Sequence, residues 1–492
     1  MINRRKFLSQ ATTGMSLAAL AAMLKPTISY CQVNTSGKIR HIVLPFLRGG
    51  MDVNSAYPFT YIDGQPIPDP VSILQAKRPS IYPKMTANGS LLPLTSYLAF
   101  HPLNSQSGYK RAFHPEFNEL FQTKNDVSFG VNLVRGVGNT NLTKLSLSHQ
   151  IAQDQYDVGT GESPTGYREG WLARLIDAAG MTTGRVWGLS VPNRLSYAVS
   201  NPANSPIVLS SLSGYSRWQN GLSGTSYNCT QCTGTERTQD ENDDRAFENE
   251  VLQRLANASG SQGPLSEQFK NVVGAMNPVW DEIASIKAYV PAGYSDQQFQ
   301  DLFKRKYPTN APGTSVDETP WQRLALDLAR VIGYNEQRYS TGTFIYTCDL
   351  GGWDHHNGIV YYMGVNVKYL SLFLSGLLRG VNASGCAQKT VIAVCSEFGR
   401  TIEENGSGGV DHGGASAMLI VGGPVKNEIS GDPETSLVGE FQDAARKNYV
   451  TPVIPFTSVF KALLKEGAFS PSHLNAAFPF VMPNEQNLSL II

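Results

Sequence analysis

The feature that most constrains the fold is the alternation in the last third of the chain. Apolar runs that read as strands, "TGTFIYTCDL", "KTVIAVCSE" and "ASAMLIVGG", are separated by the helical pattern "VYYMGVNVKYLSLFLSGLLRGV" and by a glycine-rich loop, and the helical pattern "PFTSVFKALLKEG" follows. Strands this uniformly apolar leave no face for water. The alternation therefore predicts an α/β fold, a large, mostly parallel sheet sandwiched by helices. The earlier chain fits the same plan. A strand is expected from about Ile39 to Leu47, with others in "DVSFGVNLVRGVG" and "TGRVWGLSV". Helices are expected in "HPEFNELFQ", "SHQIAQDQYDVG", "EGWLARLIDAAG" and "TPWQRLALDLARVIGY", the last with Thr319 as its cap and Pro320 at its first position.

Residues 1–31 read as a targeting segment. Arg4-Arg5-Lys6-Phe7-Leu8 precedes an apolar run from Met15 to Leu24 that is too short to span a bilayer. The arginine pair predicts recognition by the twin-arginine export machinery and a periplasmic or secreted location. No transmembrane domain is expected in the mature chain. Residues 32–492 read as one domain, with a Ser-, Asn- and Gly-rich insertion around residues 201–261. The 40 basic and 40 acidic residues cancel, and without a basic excess no nucleic-acid partner is expected. Cys229 and Cys232 form a single CxxC, and the second pair that a zinc ribbon needs is absent. In an oxidising compartment they predict a local disulfide or two separate bridges. Cys348 and Cys395 fall in strand-like runs and are expected as buried free thiols.

Ligands of such sheets bind beyond the carboxyl ends of the strands. The unusual polar residues gather at those places: Asp52 after the first strand, Asp354 with His355 and His356, Glu397 with Arg400, and Asp411 with His412 just before "ASAMLIVGG". Ser148 and His149 open a helix after the second strand. Asp, Glu and His supply the oxygen and nitrogen ligands that zinc, manganese or calcium accept, so one or two divalent ions are expected here. Each residue also has a plainer reading. Asp52 would cap a turn, Glu397 and Arg400 would form an ion pair, and Ser148 would be only an N-cap. In the functional reading Ser148 is a nucleophile or anion binder. Arg400 and Arg48 hold a phosphate or sulfate, and His149 and His355 line the substrate.

The motifs "FLRGGMD", "SHQIAQDQYDVG", "GWLARLID", "GGWDHH", "SEFGRT" and "ENGSGGVDHGGASAMLIVGGPVK", taken in order behind the arginine pair, resemble the bacterial exported family called domain of unknown function 1501. The resemblance implies the alkaline-phosphatase-like superfamily, which includes sulfatases, with two metals at the strand ends. By position it implies that Asp52 is a first metal ligand and that Asp354, with His356 or His355, holds one ion. His412 matches the superfamily's late histidine. Glu397 falls where an Asp-His pair completes the second metal, although here the pair reads Glu397-Phe398; alternatively Asp411-His412 is that pair. Ser148 lies near the nucleophile's place. The implied activity is hydrolysis of a small-molecule or glycan ester of phosphate or sulfate. A non-catalytic exported binder that keeps the fold and at most one metal is the alternative.

Overall fold

The computed structural model describes residues 37–60, 69–81, 98–100, 110–162, 169–179, 187–191, 207–209, 285–307, 319–339, 341–430 and 448–492. The targeting segment, Cys31, the CxxC pair and most of the polar insertion lie outside these residues.

Fourteen strands are described: β1 His41–Leu47, β2 Phe59–Thr60, β3 Leu98–Phe100, β4 Lys110–Phe113, β5 Gly130–Gly138, β6 Trp187–Val191, β7 Ile207–Leu209, β8 Phe344–Leu350, β9 Thr390–Ser396, β10 Gly399–Glu404, β11 Val410–Gly413, β12 Ser416–Gly422, β13 Glu428–Ser430 and β14 Ile454–Pro455. Nine of them form one mixed sheet in the order β13-β5-β12-β9-β1-β8-β6-β7, with β14 also beside β5. The strands expected in the sequence are there, and in β1 and β9 successive residues face opposite layers. In β1, Val43 and Leu47 enter one apolar core while Ile42, Leu44 and Phe46 enter the other; Ile392 and Val394 of β9 alternate with Val391, Ala393 and Cys395 in the same way. That two-sided burial is why the strands read as unbroken apolar runs. The helices Pro320–Arg338 and Ile359–Ala383 supply the first core, and the helices His149–Val158, Trp171–Ala178 and Phe456–Glu466 supply the second. Cys348 and Cys395 are buried and free, as expected. The Thr319 cap is present, with Gln322 completing a reciprocal capping box.

One strand departs from the expected parallel arrangement. β12 runs antiparallel to both of its neighbours, β5 and β9. No crossover helix separates β9 from β12. The hairpin β10–β11 reverses the chain instead, so β12 enters the sheet from the carboxyl-end edge of β9. Ser416, its first residue, pairs with Val137 near the end of β5. This reversal positions the site. In a parallel β12, the residues just before the strand would lie on the opposite edge from Asp354 and Glu397. Because β12 is antiparallel, Asp411 and His412 lie on the same edge as those residues.

A polar network closes the other edge of the sheet. Glu336 accepts from Arg40 at 2.5 Å, Lys389 at 2.7 Å and the His41 ring at 3.1 Å. Burial raises the Glu336 pKa, but hydrogen bonds from His41 and Lys389 and the charge of Arg40 outweigh it and bring it to about 2. The unfolded chain holds that proton more tightly, with a pKa of about 4.3. The network's stabilisation is therefore complete above pH ~4.3 and is lost as pH falls through the folded value. His41 is wholly buried and its pKa is lowered by that burial, so it too destabilises the fold as it is forced to protonate in acid. Thermal melts between pH 7 and 3 are expected to show a falling Tm, and Glu336→Gln is expected to flatten the acid part of that fall.

Candidate metal centre

The site is built at the edge where the carboxyl ends of β5, β9, β1 and β8 meet the start of β12. After β1 the chain turns through Gly49 and Gly50, with φ of +124° and +75°. A Cβ at Gly49 would lie 2.4 Å from the Asp354 nitrogen, and one at Gly50 would lie 2.4 Å from the Phe398 ring. Both positions need glycine, for conformation and for close approach. Arg400 ties these loops together from a fully buried position. It donates to the carbonyls of Gly50 at 2.7 Å, Val410 at 3.2 Å and Trp353 at 3.2 Å, to that of Gly49, and to Asp354 Oδ1 at 2.7 Å.

Four side chains converge there. Around Asp354 Oδ1 stand His356 Nε2 at 3.0 Å, His149 Nε2 at 3.3 Å and His412 Nε2 at 3.7 Å. One ligand atom from each of these four residues lies within 4.8 Å of all the others. A tetrahedral ion with bonds of ~2.0 Å would have ligand–ligand edges of roughly 3.3 Å. The side chains are 29%, 46%, 41% and 23% exposed for His149, Asp354, His356 and His412, so the cluster opens to solvent.

Each imidazole is anchored through its other nitrogen. His149 Nδ1 lies 2.9 Å from Glu397 Oε1, His356 Nδ1 lies 3.1 Å from Asp411 Oδ1, and His412 Nδ1 lies 2.5 Å from the Leu147 carbonyl. A carbonyl or carboxylate oxygen accepts only, so each Nδ1 carries the hydrogen, and in the neutral ring Nε2 presents a bare lone pair. His356 Nε2 and His412 Nε2 nevertheless stand 2.9 Å apart. Two lone pairs at that distance repel unless a proton or a metal cation lies between them, and three nitrogens with one carboxylate oxygen form a donor set that fits a divalent ion. Phe398 is the apolar floor, with its ring centroid 4.9 Å from that of His149 and 4.8 Å from that of His412.

The electrostatics follow the contacts. The hydrogen bond to Glu397 raises the His149 pKa against the opposing effect of its burial. Burial lowers that of His412, against the hydrogen bond to the Leu147 carbonyl and with the Arg400 charge adding to it. Asp354 is lowered: burial opposes ionisation, but Arg400 more than compensates. Asp411 is lowered, chiefly by the hydrogen bond from Asn405.

The geometry places the residues singled out in the sequence unevenly. Asp354, His356 and His412 are brought together. His149, expected as a substrate contact, is a member of the cluster itself. Asp52, expected as a first metal ligand, lies outside the cluster: both its oxygens are held by the buried Arg78 guanidinium, at 2.6 and 3.1 Å, with Ser55 on one of them. Glu397 faces His149 and not the common point, and Asp411 buttresses His356. Arg48, expected as a substrate contact, is engaged within the fold. Its guanidinium pairs with Asp349 at 2.9 Å and Asp157 at 3.4 Å and covers the Phe46 ring. His355 is buried, with Nε2 toward Asn366, and burial brings its pKa down to about 4. Ser148 is the exposed N-cap of the helix His149–Val158 and is not in the cluster, and its side chain makes no capping bond. Arg400, expected to hold a phosphate or sulfate, commits its guanidinium to backbone carbonyls and to Asp354. Arg78, Gln153, Phe398 and the Leu147 carbonyl carried no signal in the sequence.

Residues 337–452 match a family model described as "Protein of unknown function (DUF1501)". That stretch carries Asp354, His356 and His412, and the match supports the family resemblance without assigning an activity. No curated protein matches the chain.

Proposed function

We propose that the chain is an exported, metal-dependent hydrolase acting on phosphate or sulfate esters through one divalent ion held by His149, Asp354, His356 and His412. The observation that supports this reading is the set of three imidazoles, each fixed at Nδ1 and turned with Nε2 toward one carboxylate oxygen on a solvent-open edge. Three nitrogens and one oxygen suit zinc, or less well manganese. Calcium prefers six to eight oxygens, so it falls out of the proposal. A divalent ion bound there supplies Lewis acidity and a water of lowered pKa. The chain's own part is to hold that ion beside an open approach, with Phe398 closing the floor and Arg400 keeping Asp354 ionised and in place. With Asp52 taken by Arg78 and Ser148 outside the cluster, water and not a side chain is the proposed nucleophile.

The same two facts favour a second reading, a binding protein that retains one metal without turnover. The zinc- or manganese-loaded protein should be assayed on aryl phosphates, phosphodiesters and aryl sulfates. Turnover that disappears in His412→Ala supports the hydrolase. The absence of turnover with any ion, at one bound metal per chain, supports the binder. The export proposal rests on Arg4 and Arg5 and predicts that replacing both with lysine leaves the protein in the cytoplasm on cell fractionation.

A further inference from the structure

We infer that Glu397 is a positioning residue of this centre, a buried carboxylate that orients His149 toward the ion without binding the ion itself. The inference rests on the metal reading above. The place of Glu397 at the end of β9 suggests a ligand, but its contacts give it another role. Oε1 accepts from the Gly49 nitrogen at 2.8 Å, from Gln153 Nε2 at 2.9 Å and from His149 Nδ1 at 2.9 Å. Oε2 accepts from Ser396 Oγ at 3.1 Å. Three donors thus converge on Oε1, while Oε2 shares the single Ser396 hydroxyl hydrogen with the Leu47 carbonyl, 2.8 Å from that hydroxyl. Hydrogen bonds donated to a buried carboxyl group favour its charged form, and all of these contacts are donated to Glu397.

Two consequences follow from that arrangement. The Nδ1 hydrogen of His149 is pinned, so Nε2 is the only nitrogen left for a metal. A buried negative charge behind the ring also makes that nitrogen a stronger donor, as in other carboxylate–histidine–metal relays. Gly49 and Gln153 hold Glu397 from the loop after β1 and from the helix that bears His149, so the carboxylate cannot swing toward the ion without breaking both bonds. Asp411 makes the parallel contact to His356, but its side chain is 60% exposed and its charge is screened by water. The two carboxylates should therefore differ in effect.

The test measures zinc affinity of the purified protein by competition with a chromogenic chelator, alongside Tm, for wild type, Glu397→Gln, Glu397→Ala, Asp411→Asn and His149→Ala. Glu397→Gln keeps an acceptor and loses the charge, and is expected to bind zinc about 10-fold more weakly; Glu397→Ala is expected to lose about 100-fold. Asp411→Asn should lose less than Glu397→Gln, and His149→Ala more than any of them. A purely architectural role would lower Tm without weakening zinc binding, and affinities within twofold of wild type in both Glu397 variants would overturn the inference. So would a Glu397→Gln loss as large as that of His149→Ala, which would make Glu397 a ligand. Should the alanine variant not fold, the near-isosteric glutamine variant carries the test. Wild-type protein that binds no zinc would instead remove the metal reading itself.

Discussion

His412→Ala and His356→Ala are each expected to weaken divalent-metal binding by more than about 100-fold, beyond the range typical of outer-shell changes. Each removes one nitrogen from a four-atom set whose members lie within 4.8 Å of one another, and neither is replaceable by a neighbour. The anchors explain why. His412 is fixed by the Leu147 carbonyl and His356 by Asp411, while the nearby His355 is turned away toward Asn366. The fold should survive both changes, because each side chain is partly exposed and outside the apolar cores. Elemental analysis after dialysis, with circular dichroism as the control for folding, checks this. Retention of one ion per chain in both variants would refute the proposed centre.

Arg78→Met is expected to destabilise the protein by about 3–5 kcal/mol, because it leaves the buried Asp52 carboxylate without its counter-charge. Both side chains are fully buried. The guanidinium also donates to the carbonyl of Ile402 at 2.8 Å and to that of Thr401, so the substitution also removes a donor from two carbonyls of β10. Adding Asp52→Asn should recover a substantial part of the loss, since the uncompensated charge is its largest component. Chemical denaturation of the single and double variants measures both effects. If Arg78→Met unfolds at the wild-type midpoint, the pair contributes far less than its burial implies.

The sequence displayed the sheet more clearly than the site. β9 and β12 are apolar on both faces and β1 and β8 nearly so, and that pattern survives any arrangement of their neighbours. The direction of β12 was not legible. It depends on β10 and β11 pairing as a hairpin, and "GRTIEENGSGGVDHG" carries too much charge and glycine to advertise strands. Asp354, His356 and His412 stood out because acids and imidazoles beside glycines are rare at strand ends. His149 was harder to place, since a histidine after a serine at a helix start commonly caps or packs. Asp52 misled because its partner, Arg78, sits 26 residues away in a segment with no recognisable pattern. Which of several carboxylates meets a cation, and which cation, is settled by tertiary packing that local pattern does not encode.

The guanidinium of Arg400 laces together four backbone carbonyls, from the loop after β1, the loop after β8 and the start of β11. The cradle is thus held in shape by the polypeptide itself. Binding of the proposed ion then need not be an act of folding: a finished molecule could be charged, stripped and recharged while its architecture stays the same.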